Sequence, residues 1–221
     1  MTKLSESLER VGGLSTPSKM PGYGWSIPAW ECDIGGKLQN TSGSVCENCY
    51  AMKGRYTFGA VKKALENRLA LWKKDNHEWR DAFIYYLTNA PKFRAKTDYY
   101  YPFRWFDSGD LQGEKMLDDI CFIAKHTPHI KHWLPTKEYM VANLYMKNHW
   151  IPPNLTIRIS HPMVNKNFKK GDWMNHSGVF DKEHLHEARG TICPSSKQNN
   201  ECRDCRMCWD GSIEVINYIN H

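Results

Sequence analysis

Residues 99–134, YYYPFRWFDSGDLQGEKMLDDICFIAKHTPHIKHWL, decide the fold class. The stretch begins with aromatic, β-prone residues (99–106) and ends with a second apolar run (131–134), and both are typical of strands. Between them, residues 114–125 repeat apolar side chains at helical spacing, namely Met116, Leu117, Ile120, Cys121 and Ala124. This order predicts a βα unit, because a parallel strand needs a crossover helix to return to the same edge of the sheet.

The alternation of strands and helices extends along the chain in both directions. Apolar stripes predict helices, and apolar alternation or short apolar runs predict strands. The predicted helices are 58–74, a second one after Asn76, and 138–148; the predicted strands are 155–160 and, more weakly, 25–28 and 190–192. About six βα units result, fewer than the eight of a full barrel. The prediction is therefore an α/β fold, a parallel (βα)n partial or compressed TIM-like barrel with a cysteine-rich C-terminal segment.

Length and composition favour one domain. The 221 residues include 41% hydrophobic and 13% aromatic side chains, enough apolar surface to exclude a disordered chain. No apolar run approaches ~18 residues, and residues 1–13 lack the apolar core of a signal peptide. We expect a cytoplasmic protein with a single domain over 1–221, made of a flexible N-terminus (1–18), a barrel-like core (19–192) and a cysteine-rich cluster segment (193–211).

Charge is less informative about function. The net charge is +6, from 30 Lys and Arg against 24 Asp and Glu, and the basic residues are scattered apart from KNFKK at 166–170. We interpret that patch as a solvated loop rather than a nucleic-acid groove. Neither a membrane nor a nucleic acid is therefore the expected partner.

The eight cysteines carry most of the functional information. In a reducing compartment, clustered cysteines indicate metal ligands rather than disulfides. Two sets occur: the N-terminal thiol group (Cys32, Cys46, Cys49; C-x13-C-x2-C) and the C-terminal thiol group (Cys193, Cys202, Cys205, Cys208; C-x8-C-x2-C-x2-C). The contiguous C-x2-C-x2-C run is typical of a cubane iron–sulfur cluster. A structural zinc is the alternative, although its four thiolates usually come as two separated C-x2-C pairs.

The N-terminal thiol group offers three thiolates, which would leave one iron of a cubane open to chemistry. The alternative is that Cys46 and Cys49 join the C-terminal cysteines around one shared centre. Cys121 lies on the apolar stripe of its predicted helix and is expected in the core.

Polar residues follow the predicted strands, where parallel sheets bind ligands. Candidate catalytic residues there are Asp107, Lys137 and His161. Each also has a structural interpretation at such a position. Asp110 could cap the helix that follows it, and Arg158 could form an ion pair inside the barrel.

Several motifs resemble the gene product 88 family of phage proteins. They are Lys19-Met20-Pro21 leading to Trp25-Ser26-Ile27-Pro28, Cys46-Glu-Asn-Cys49-Tyr50-Ala51 with Lys53-Gly54-Arg55-Tyr56, Phe103 to Asp110 (FRWFDSGD), and Cys193-Pro194 with Cys202 to Trp209 (CRDCRMCW). The resemblance implies a virus-encoded iron–sulfur protein. Through a second phage family that shares the Cys-x2-Cys-Tyr-Ala turn, it extends distantly to the radical S-adenosylmethionine (SAM) enzymes and their partial barrels.

The radical SAM resemblance implies a specific cofactor scheme. The N-terminal thiol group would bind a [4Fe-4S] cluster whose open iron takes SAM, and one electron would cleave SAM to a 5′-deoxyadenosyl radical; the C-terminal thiol group would hold an auxiliary cluster. Asp110 would hold the SAM ammonium and Arg158 its carboxylate, with Ser108 in the segment nearest to the usual SAM-binding motif. The first cysteine gap, thirteen residues instead of the usual three, differs from that family.

Two classes of function follow. The first is a redox-active iron–sulfur protein or radical enzyme with a small-molecule substrate, supplied by an electron-donor protein in the cytoplasm of the infected host. The second is a non-catalytic iron–sulfur or zinc protein that serves electron transfer, redox sensing or structure.

Overall fold

A seven-stranded parallel sheet organises the computed structural model, which describes residues 2–93, 100–169, 171 and 174–220. The strands are β1 (Tyr23–Trp25), β2 (Tyr101–Trp105), β3 (Ile130–Thr136), β4 (Leu155–Ser160), β5 (His176–Phe180), β6 (Thr191–Ile192) and β7 (Val215–Ile219). Their order is β1-β2-β3-β4-β5-β7-β6, and every neighbouring pair is parallel. The predicted α/β class is confirmed. The predicted TIM-like barrel is not formed, because the sheet stays open with β1 and β6 at its edges.

The α-helices are α1 (Lys3–Arg10), α2 (Asp33–Leu38), α3 (Gly59–Lys74), α4 (Asn76–Asn89), α5 (Glu114–His126) and α6 (Tyr139–Asn148). Helix α1 precedes β1, and the other five of these helices lie in the crossovers from β1 to β4. Asp75 caps α4 by accepting a hydrogen bond from the Glu78 amide, which explains the break between α3 and α4. The helices predicted from apolar stripes at 58–74, after Asn76, at 114–125 and at 138–148 are confirmed.

The N-terminal residues are more ordered than the sequence predicted. Within the segment 1–18, which we expected to be flexible, Thr2 accepts a hydrogen bond from the Ser5 amide and so caps α1. Val11 follows the last residue of the helix and is fully buried, and its carbonyl accepts a hydrogen bond from Trp25 Nε1 at 2.8 Å. The burial of Val11 and its hydrogen bond with the Trp25 indole therefore attach this segment to the sheet.

One face of the sheet packs against the helices. Aromatic side chains dominate there: the ring centroids of Trp79 and Phe83 on α4 lie 5.0 Å apart, and those of Phe83 and Trp105 lie 5.1 Å apart. Trp25 packs on Trp79 at 5.1 Å. Cys121 on α5 is 5% exposed within this core, as predicted.

The cysteine-rich segment covers the other face. Trp133 on β3 and Ile216 on β7 pack there against Cys208 and Trp209. Trp209 Nε1 donates to the Phe103 carbonyl at 2.8 Å, and Thr156 Oγ1 donates to the Trp209 carbonyl at 3.1 Å. These two bonds attach the segment to β2 and β4.

Strands β5 and β7 were not predicted from the sequence, whereas 25–28 and 190–192 correspond to short strands near those positions. Tyr99 and Lys170, which belong to the predicted strand 99–106 and the basic patch, lie outside the described residues. None of the helices that the structure describes is both long and apolar enough to cross a membrane.

Candidate metal centres

Cys32 and Cys46 of the N-terminal thiol group border a common space beside Gly35. Cys32 follows β1 and stands at the start of α2, and Gly35 lies in the first turn of that helix. A Cβ atom added to Gly35 would lie 3.6 Å from Cys32 Sγ, 3.7 Å from Cys46 Sγ and 2.9 Å from Cys32 Cβ. The absence of a side chain at Gly35 therefore keeps open the space that both sulfurs face.

The environment of these thiols opposes free thiolates. Burial raises the pKa of the Cys32 thiol, and the Asp110 carboxylate and the other two thiols of the group raise it further, while Lys137 opposes them. Burial also raises the pKa of Cys46, again against Lys137. Bound cations reverse this balance, because a coordinating thiol is deprotonated by the metal. The site thus combines three thiols, one carboxylate and one ammonium group.

Asp110 joins the loops after β2 and β3. Its Oδ1 accepts from the Leu111 amide at 2.8 Å and from Thr136 Oγ1 at 2.6 Å, and its Oδ2 accepts from the Lys137 amide at 2.8 Å. Burial raises the pKa of this carboxyl, and these hydrogen bonds oppose the shift. Three bonds to a carboxylate with about four acceptor positions leave room for one more partner.

Asp107 and Ser108 connect the β2 loop to the loop after β1. Asp107 accepts hydrogen bonds from the hydroxyls of Ser26 and Tyr56, the latter at 2.9 Å, and its carbonyl accepts from the Tyr50 hydroxyl. Ser108 Oγ donates to the Ile27 carbonyl at 3.0 Å and is buried. Both side chains already have partners, so in this structure they position the loop.

The C-terminal thiol group gathers over the second face of the sheet. Cys208 Sγ lies 3.2 Å from the Tyr218 hydroxyl, and Cys193 Sγ lies 3.3 Å from Ser195 Oγ. Burial raises the pKa of Cys208 to about 12, where Tyr218 and Arg158 oppose it and Cys193 adds to it. Burial raises the pKa of Cys202 too, with contributions from Cys193 and Cys205. For Cys32, Cys46, Cys202 and Cys208, the thiols that raise the pKa all belong to the same group as the cysteine itself.

Three buried N–H donors on the same face have no hydrogen-bond partner. They are Arg104 Nε, Trp133 Nε1 and Arg158 Nε; Trp79 Nε1 and Arg80 Nε, on α4, are also buried and without a hydrogen bond. Arg104 pairs with Trp133 in the register of β2 and β3, and its guanidinium lies 4.7 Å from the Trp133 ring. Trp133 packs in one cluster with Cys208, and the charge of Arg158 lowers the pKa of Cys208. Arg104 lowers the pKa of Cys202, although its main electrostatic partners are Tyr50 and Asp107.

The predicted cofactor residues divide between the two centres. Lys137 and Asp110 lie with the N-terminal thiol group. Arg158 lies with the C-terminal one, where its Nη atoms donate to the carbonyls of His176, Asp210, Ile213 and Glu214. It is therefore not beside Asp110, and Lys137 is the cation next to Cys32.

His161 is the remaining predicted site residue, and two further residues lie close to the thiol groups. His161 contacts the backbone of Met163 at 3.0 Å and the ring of Phe168 at 4.6 Å, and burial lowers its pKa. Gly35 and Tyr218 were not predicted as site residues. Tyr218 had a detectable signal, because 213–219 (IEVINYI) is rich in β-branched residues; Gly35 had none.

In the residues that the structure describes, no three His, Cys, Asp or Glu side chains form a group that would hold one metal ion.

Comparisons with known proteins give one match. The sequence model described as gene product 88 matches residues 2–211, a range that contains every motif of the resemblance noted above. It lends no support to a relation with the radical SAM enzymes. No curated protein and no solved structure matches the chain.

Proposed function

From the premise that the chain belongs to the gene product 88 family, we propose that it is an iron–sulfur protein with two [4Fe-4S] clusters. The C-terminal thiol group would supply four thiolates to one cluster, and the N-terminal thiol group three thiolates to the other. The second cluster would keep one iron open to a further ligand. Such a cluster supplies one-electron chemistry when bound.

The observation that carries this proposal is the set of unpaired N–H donors of Arg104, Trp133 and Arg158 around the C-terminal thiol group. A buried donor without an acceptor costs about 1–3 kcal/mol, so three in one place call for a partner. The sulfurs of an anionic cluster accept hydrogen bonds, and such bonds tune its potential. Two of the donors belong to guanidinium groups, whose charge would offset that of the cluster.

The N-terminal thiol group supports a cluster on independent grounds. The space beside Gly35 faces two of the sulfurs. Lys137 supplies a positive charge that favours the thiolates of Cys32 and Cys46. The thiols otherwise stay protonated because of burial, so binding of iron would release protons and would be weaker at low pH.

Protein prepared without oxygen and with ample iron is expected to be brown. We expect broad absorption near ~400 nm and matching amounts of iron and acid-labile sulfide, about eight of each per chain for two cubanes. Metal and sulfide analysis measures the amounts, and visible and electron spin resonance spectra identify the clusters. A colourless protein that contains only zinc would contradict the proposal.

A second candidate function is a radical enzyme that uses SAM. Two residues near the open iron support it. Asp110 has one acceptor position left for the SAM ammonium, and the Lys137 ammonium could bind the SAM carboxylate. Without SAM binding, the protein would serve electron transfer, redox sensing or structure.

Addition of SAM to the reduced protein is expected to change the spin resonance signal of the N-terminal cluster. The reason is that an amino-acid group on the open iron would alter its ligand field, whereas the C-terminal cluster has four thiolates and should stay unchanged. Lys137→Gln should weaken the effect per bound cluster, with iron measured in the same sample because Lys137 also favours the thiolates of Cys32 and Cys46. An unchanged signal, no binding heat and no 5′-deoxyadenosine would end the enzyme proposal and leave the iron–sulfur proposal intact.

The proposed setting is the cytoplasm of the infected host cell, with a host or viral electron-donor protein as the partner. The requirement for a reduced cluster motivates this partner.

A further inference from the structure

A cleft lies next to the N-terminal thiol group. It has a volume of about 560 Å³, and its walls include Asn48, Tyr50, Lys53, Arg55, Tyr56 and Asn220. Asn48 and Tyr50 are the chain neighbours of Cys49, so the cleft adjoins the proposed cluster. The cleft is open to solvent, and its volume falls within the usual range for small-molecule sites, roughly 300–1,000 Å³.

The charge of the cleft selects an anion. Lys53 and Arg55 both line it, and none of the described lining residues is acidic. Lys53 Nζ donates to Asn48 Oδ1 at 3.0 Å, which holds the ammonium at the wall and leaves it two further protons to donate. Arg55 is exposed to solvent within the same wall. An ammonium and a guanidinium together favour a phosphate group, which the guanidinium can bind through two parallel bonds.

The aromatic wall of the cleft selects a planar group. The Tyr50 residue is 59% exposed, although its hydroxyl is held by the Asp107 carbonyl. Tyr56 packs edge-on against it at 5.8 Å and donates to the Asp107 carboxylate. Two anchored hydroxyls therefore hold an exposed ring in place, and an exposed, fixed tyrosine ring is a stacking surface for a nucleobase. Asn48, whose Oδ1 accepts from Lys53, can offer its amide N–H groups to the edge of such a base. Asn220, whose Nδ2 donates to Asp181, can offer its amide oxygen.

We propose that this cleft binds a mononucleotide, with the phosphate on Lys53 and Arg55 and the base against Tyr50. The site itself needs no iron. The role of the nucleotide as a substrate beside the open iron rests on the proposed function and gives that function a substrate class.

Calorimetry with adenosine 5′-monophosphate (AMP) on the anaerobic full-length protein tests the proposal, with iron measured in every sample. We expect AMP to bind at least tenfold more tightly than adenosine or inorganic phosphate. Arg55→Gln should weaken AMP about tenfold with unchanged iron, because one charge-assisted phosphate contact is lost. Tyr50→Leu should weaken AMP but leave phosphate unchanged. Lys147→Gln, an exposed basic residue on α6, is the matched control and should bind like the parent protein.

The outcomes separate the cleft from the cluster. If the protein binds nucleotide but contains no iron, the result would support the nucleotide site and contradict the proposed iron–sulfur function. The proposed nucleotide site would be refuted if the protein has its full iron content but binds none of the four common mononucleotides. It would also be refuted if the Arg55→Gln variant binds AMP normally. Binding of single-stranded oligonucleotides alone would likewise overturn the proposal and indicate a polynucleotide surface.

Discussion

Replacing Cys205 with alanine is expected to remove the C-terminal cluster, about half of the bound iron, and much of the stability of the protein. Cys205 is only partly buried, so the loss of its side chain removes little packing. The segment around it consists of turns and short 3₁₀ helices, with positive φ angles at Asn199, Asn200 and Arg203. For such a segment, the free energy of metal binding is largely its folding free energy. Iron analysis and thermal unfolding under anaerobic conditions measure both effects.

Cys121→Ala is the matched control for this substitution. Cys121 is more deeply buried than Cys205, at 5% exposure, but it lies among the helices, away from both thiol groups. The same chemical change there should cost only the packing of a small side chain, within the usual ~0.5–3 kcal/mol of point mutants, and no iron. Loss of iron in Cys121→Ala, together with full iron in Cys205→Ala, would refute the assignment of the cysteines.

Gly35→Ala is expected to abolish the N-terminal cluster, which is the second large effect. The added methyl group would lie 2.9 Å from Cys32 Cβ and would enter the space faced by the sulfurs of Cys32 and Cys46. Because the Cys32 Cβ is bonded directly to the main chain, it cannot move away without a shift of the backbone. We expect about half of the iron to remain. The spectrum should then show only the contribution of the C-terminal cluster.

The adjacent glycine provides the control. A Cβ atom at Gly36 would meet nothing within 4 Å. Both glycines lie in α2, where alanine is favoured over glycine by about 0.5–1 kcal/mol. Gly36→Ala should therefore keep all of its iron and be slightly more stable. Equal iron in the two variants would show that the space beside Gly35 has no part in cluster binding.

Local patterns predicted most of the fold on the helix face. The i, i+4 stripes of 58–74 and 114–125 predicted α3 and α5 because such helices bury one continuous stripe of side chains. The alternation of LTIRIS at 155–160 predicted β4. The division of the cysteines followed from short spacing, because two residues between cysteines suffice to turn both thiols toward one centre.

Other elements depended on contacts that are distant in the sequence. β5 contains Gly178 and β7 contains Asn217, residues that are depleted in strands. A Cβ atom at Gly178 would lie 2.6 Å from Asn217 Oδ1, so the two residues suit each other across the sheet. β7 also enters between β5 and β6, which no local pattern encodes. β5 and β7 are therefore strands because their residues fit each other across the sheet.

The sequence by itself determined that the chain forms parallel βα units, that seven cysteines form two sets, and that polar residues follow the strands. The tertiary structure decided which of those residues share a site. Thr136, which binds Asp110, pairs with Ile159 in the register of β3 and β4, and the adjacent Arg158 therefore points to the opposite face of the sheet. A shift of one residue in that register would exchange the two faces, and register is set by packing against both layers rather than by the sequence of one strand. For this reason Arg158 lies with the C-terminal thiol group and Asp110 with the N-terminal one.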